Sequence, residues 1–147
     1  MDSLRDLYQE VILDHYKRPR NHAAPAGANA YANGHNPLCG DKLTVYLHLD
    51  GERVTEAGFS GGGCAIATAS ASLMTDAVKG HSRAEALELF DKVHALLTTA
   101  NPPAEGLGKL AVFEGVREFP ARVKCASLAW QTLRNALKQT ADTAKTE

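Results

Sequence analysis

Hydrophobic positions along the chain change their period several times, and each change marks an element. Leu4, Leu7, Tyr8, Val11 and Ile12 recur at helical spacing, and Ser3-Leu4-Arg5-Asp6 reads as a capping box that opens this first helix. The helix should fade before Pro19, and residues 19–36 are rich in Pro, Gly, Asn and Ala. They predict a loop with at most one short edge strand around 28–32. Then Leu43, Val45, Leu47 and Leu49 alternate with Thr44, Tyr46 and His48, the period of a half-buried strand. Asp50-Gly51 predicts a tight hairpin turn. On the return strand Val54 has one parity and Ala57 and Phe59 the other, so a bulge is expected between them, re-aiming the strand toward Gly61–Cys64.

From Cys64 the period is helical again, with Ile66, Ala69, Ser70, Leu73, Met74, Ala77 and Val78 on one face. Gly80 stops that helix, and Ser82-Arg83-Ala84-Glu85 caps another with a stripe of Leu87, Phe90, Val93, Leu96 and Leu97. "TTANPPAEGLG" predicts a loop, followed by a shorter helix around 109–117. Pro120 begins the last helix, whose face is Cys125, Leu128, Ala129, Leu133, Ala136 and Leu137. Residues 139–147 read as a fraying tail. The expected fold is α+β, a small antiparallel sheet of about three strands with helices packed on one face, forming a single domain over residues 1–147.

Composition narrows the function. The 147 residues can bury a real core, and 44% hydrophobic with 22% charged residues is ordinary for a globular domain. A net charge of −1 gives no basic surplus that would ask for nucleic acid. No apolar run approaches the ~18–20 residues of a membrane span. The N-terminal stretch, amphipathic with scattered acids, fits neither a secretory nor a transit peptide, so a cytoplasmic location is expected. Three cysteines are an odd set without an export signal, which leaves metal, redox chemistry or buried thiols open.

The cysteines fall at ends of elements. Cys39 lies in the turn "NPLCGD", Cys64 ends the glycine run "GGGC" and opens a helix, and Cys125 lies near the start of the last helix. Glycines allow close backbone approach, and a helix N-terminus favours a thiolate. In "CGD" the side chains of Cys39 and Asp41 can converge on one ion. Cys39, Asp41, Cys64 and Cys125 together would form a site of three sulfurs and one oxygen suited to tetrahedral zinc. Such a site carries excess negative charge, for which Arg122 and Lys124 in "ARVKC" are the candidate cations. The 25 residues from Cys39 to Cys64 and 61 from Cys64 to Cys125 match no metal-binding spacing signature. Among six histidines, His35 stands nearest in sequence to a cysteine; His48 is expected on the exposed strand face, and His15, His22, His81 and His94 as surface or structural residues. Trp130 is assigned to packing, and Tyr8 and Val11 to the core.

Four segments in order, "LYQEVILDHYKRPRN", "NPLCGD", "GGGCAIATASASLMT" and "RVKCASLAW", resemble the U-type iron–sulfur scaffold superfamily of IscU, SufU and the N-terminal domain of NifU. Lys124 stands where IscU-like proteins usually have a histidine, and the long interval before Cys125 suggests an insert around 82–103. "REFPARVKC" replaces the chaperone-recognition segment of IscU. These features are similar to the SufU branch. The resemblance implies a zinc site on Cys39, Asp41, Cys64 and Cys125, and a cysteine desulfurase of SufS type as partner, with downstream iron–sulfur assembly proteins beyond it. A partner histidine would displace Cys39 from zinc, and Cys39, the implied catalytic residue, would accept persulfide sulfur. It also leaves an alternative, a scaffold holding iron or a [2Fe–2S] cluster on the same ligands, in which the aspartate is linked to cluster lability. Two further readings, from the residues themselves, are a Cys64–His35 hydrolase pair and a structural zinc module.

Overall fold

The computed structural model describes residues 3–99, 107–117, 119–138 and 144–145, with side chains described between Tyr8 and Lys138. Helix α1 spans Ser3–Lys17 and ends ahead of Pro19, as the sequence pattern predicts. The Ser3 capping box falls on side chains outside those described. Strands β1 (Ala30–Asn36), β2 (Asp41–Asp50) and β3 (Arg53–Gly62) form an antiparallel meander. Helices α2 (Ala65–Val78), α3 (Arg83–Thr98) and α4 (Pro120–Lys138) follow, with a 3-10 helix at Gly108–Val116 between the last two. The expected loop before that 3-10 helix lies largely outside the described residues.

Alternation sets the sheet. Leu43, Val45, Leu47 and Leu49 of β2 are buried, while Thr44, Tyr46 and His48 are half-buried on the other face. His48, expected to be exposed, is instead hydrogen-bonded to the Thr55 hydroxyl. The ladder slips one residue after His48, which pairs with Glu56 while Leu49 pairs with Val54. Thr55 is therefore the extra residue of a bulge, which lets Val54, Ala57 and Phe59 all be buried. The bulge sits at the turn end of β3, so it corrects parity there rather than re-aiming the far end.

Strand β1 runs farther toward Cys39 than the short strand expected at 28–32. Its inward residues Ala30, Ala32, Gly34 and Asn36 are small or polar, because α4 crosses closely. A Cβ at Gly34 would stand 2.1 Å from Thr132 Oγ1. Helices α2 and α4 pack on this sheet face, and α1, α3 and the 3-10 helix pack on them. Trp130, Phe59, Phe113, Leu128 and Leu133 are among the fully buried side chains at the centre. The tail, expected to fray, has two described residues, Ala144–Lys145, which pair in parallel with Gly34 and His35 as a short strand β4. The sheet order is β3-β2-β1-β4.

Candidate metal centre

Register assembles this site. Asn36, the last residue of β1, pairs with Asp41, the first of β2, so Cys39 rides on the tight turn between them. The hairpin then returns β3 until Gly62 stands opposite Lys42, which delivers Gly63 and Cys64 beside Asp41. Cys125 arrives from the first turns of α4. Segments far apart in sequence thus meet at one end of the sheet.

The donor atoms of Cys39, Asp41 and Cys125 lie within 4.8 Å of one another. The two sulfurs are 3.4 Å apart. Cys64, the fourth predicted ligand, lies outside that trio and meets it at Asp41, with its Sγ 3.8 Å from Oδ2 and its N–H donating to Oδ1 at 2.9 Å. Cys64 is also the N-cap of α2, where its sulfur accepts the Ala67 N–H at 3.4 Å. An unpaired donor at the helix start is thereby satisfied, and the same donor favours negative sulfur.

Burial grades the thiols: Cys39 is exposed, Cys64 intermediate and Cys125 buried. Asp41 is fully buried, and among the described residues no Lys, Arg or His forms an ion pair with it. Burial pushes the Cys125 thiol well above its ordinary value, and the neighbouring Cys64, Cys39 and Asp41 push it the same way. A buried carboxylate crowded by thiols is electrostatically incomplete without a cation. The donors, sulfur with one oxygen, suit a soft divalent ion such as zinc. The residues present fit that ion.

Beside the sulfurs opens a cleft of about 850 Å³ between α1, the 3-10 helix and the start of α4. Cys39, Cys64 and Cys125 line one end, and Tyr8, Ile12 and Phe119 form part of its apolar wall. Arg122 also lines it, its guanidinium 4.7 Å from the Phe119 ring centre. Lys124, the other candidate cation, is half-buried and does not line the cleft.

His35 occupies the opposite parity of β1 from Asn36, so it faces away from the helices and the cysteines. The Cys64–His35 hydrolase pair is therefore ruled out by strand geometry. Asn36 is the residue that sequence reasoning missed. It is fully buried, and its Nδ2 lies 3.7 Å from Cys125 Sγ. Its inward parity was the available signal, hidden because the stretch read as loop.

The NifU-like N-terminal domain model matches residues 7–145. An iron–sulfur cluster assembly scaffold protein IscU of Streptococcus pyogenes serotype M1 is 40% identical over 143 residues, covering 97% of this chain and 89% of the relative. A zinc-dependent sulfurtransferase SufU of Bacillus subtilis (strain 168) is 39% identical over 137 residues, covering 92% of each. The crystal structure of a nitrogen-fixing NifU-like protein (N-terminal) from Brucella abortus superposes with a TM-score of 0.83 at 28% identity, over 94% of this chain and 96% of the other.

Proposed function

Because the chain belongs to the NifU-like N-terminal domain family, we propose that it serves iron–sulfur cluster assembly as a SufU-type, zinc-bound sulfur acceptor. It takes persulfide sulfur from a cysteine desulfurase of SufS type onto Cys39 and stimulates that enzyme. The observation that carries this reading is the gradient of exposure across three thiols around one buried carboxylate, Cys39 and Cys125 grouped with Asp41 and Cys64 in contact with it. Two sulfurs are backed by N–H donors, Cys64 by Ala67 and Cys125 by Asn36. Cys39 is the one presented to solvent at the cleft.

Asp41, Cys64 and Cys125 would hold zinc with Cys39. When bound, zinc keeps thiols deprotonated near neutral pH and shields them from oxidation. The Cys39 thiolate attacks the terminal sulfur of the partner's persulfide; a new S–S bond forms on Cys39, and the partner's cysteine leaves as thiolate. The exposed turn at 37–40 lets Cys39 approach, while the burial of Cys125 keeps its sulfur from competing. Arg122, at the cleft wall, supplies positive charge where anionic sulfur arrives.

The test is desulfurase turnover with and without this chain, alongside metal analysis of protein purified without added metal. Cys39→Ser abolishes the stimulation; normal stimulation by that variant sinks the reading. The open cleft beside Cys39 favours one second reading, a scaffold that assembles a [2Fe–2S] cluster on the same residues. That reading requires visible absorption after anaerobic reconstitution and cluster transfer to an apo-acceptor.

A further inference from the structure

We propose that Asn36 is the positioning residue that sorts the thiols: it holds the sulfur of Cys125 and shapes the turn that presents Cys39. This rests on the sulfur-acceptor reading above, which needs one sulfur retained and another released. Asn36 touches both. Its Nδ2 lies against Cys125 Sγ at 3.7 Å, and its Oδ1 accepts the Leu38 N–H at 3.2 Å. Its backbone carbonyl accepts the Gly40 N–H at 2.9 Å. Cys39 is thus bracketed on both sides by bonds to Asn36.

Chemistry explains why an asparagine suits this place. Asn, followed by Pro37, favours a turn in which the side-chain carbonyl bonds a backbone N–H two residues on. The same amide offers donors that stay protonated at any physiological pH, so they can face a thiolate without competing for its proton. The opposite flip would set an NH₂ group against the Leu38 N–H, so the two contacts fix the orientation together. The amide's burial at the end of β1 makes both bonds hard to replace with water. Among the described residues Cys39 receives no N–H donor at its sulfur, only the contact with Cys125 Sγ. Asn36 therefore separates the sulfurs without itself reaching the incoming one.

Two substitutions take the roles apart. Asn36→Leu removes donor and acceptor, whereas Asn36→Asp keeps an acceptor for the Leu38 N–H and loses the donor to sulfur. Peptide-resolved alkylation gives the rate at each cysteine, in zinc-loaded and in metal-free protein, and chelator competition gives zinc affinity. In the wild type Cys39 reacts first and Cys125 last. In the zinc-loaded variants the ratio of Cys39 to Cys125 rates should narrow by about tenfold, because zinc is held about 10–100-fold more weakly. In the metal-free variants loss of the donor makes the Cys125 thiolate scarcer, and the ratio should widen. Asn36→Asp should keep a fast Cys39, because its turn survives; if Asn36→Leu fails to fold, that variant alone decides. A folded variant with the wild-type ratio in both metal states overturns the proposal. A wild type that retains no zinc overturns the zinc reading instead, while the metal-free ratio still decides the role of Asn36.

Discussion

A methyl group added at Gly63 would stand 2.0 Å from Asp41 Oδ1 and 2.9 Å from its Cα. Neither a carboxylate fixed by the Cys64 N–H nor backbone can yield that distance cheaply, so Gly63→Ala must displace the loop or the carboxylate. Zinc affinity should fall at least about tenfold, read by chelator competition. Gly115→Ala, also at the cleft but with nothing within 4 Å of the added carbon, should leave affinity unchanged. Equal affinities in the two variants would dismiss the steric account. The sequence "GGGC" already said that the backbone must come close to something, and "CGD" named the acid. It did not say that the two would touch, because that depends on the β2–β3 register. His35 stays apart from the site for the converse reason. Four residues from Cys39 is close in sequence, but strand alternation turns its ring to the other face.

Between helices, the hold of α1 on α2 depends on a buried histidine. His15 continues the stripe of Val11 and Ile12 at helical spacing, and only 2% of it is exposed. Its Nδ1 is 2.7 Å from the Ser72 hydroxyl, which also accepts the Arg20 N–H. Burial, ahead of the positive charges of Arg20 and Lys109, holds its pKa below the ordinary 6.5, while Asp14 and Asp76 pull the other way. The neutral ring is thus the native form, and the unfolded chain takes up the proton more readily. Stability is complete above about pH 6.5 and is lost as pH falls from there toward the lower native value. Melting temperature should therefore drop between pH 7.5 and 5.5, and His15→Gln should flatten that drop; parallel curves would refute the assignment. Asp14 does not confuse this window. Two arginines lower its pKa from 3.8 to about 2, so its contribution disappears only in stronger acid. Elements with large apolar side chains, such as β2 and α3, were legible. Strand β1 was not, since close packing against α4 demands Ala and Gly where a hydrophobic pattern needs bulk.

At the scale of the molecule, the cysteines sit at the end of a core that is already closed. The α+β architecture was readable from one hairpin and a series of amphipathic helices. The meeting of sulfurs 25 and 61 residues apart was not readable from spacing, because it is a product of register and helix packing. The same arrangement offers a test between a sulfur acceptor and a structural zinc module. Phe59, Phe113, Trp130 and Leu133 are buried by contacts among the sheet, α2, α4 and the 3-10 helix, and these contacts need no ion. Chelation should then leave the far-ultraviolet circular dichroism at 25 °C nearly unchanged. An ion that binds only the folded chain, at a thousandfold excess over its Kd, adds about 4 kcal/mol. For a chain of this size that corresponds to roughly 10 °C in Tm. The chelated protein should therefore melt lower by about that amount while remaining folded at room temperature. Collapse of the helical signal on chelation would mean that the ion organises the core, and Cys39 could not leave it without unfolding the protein.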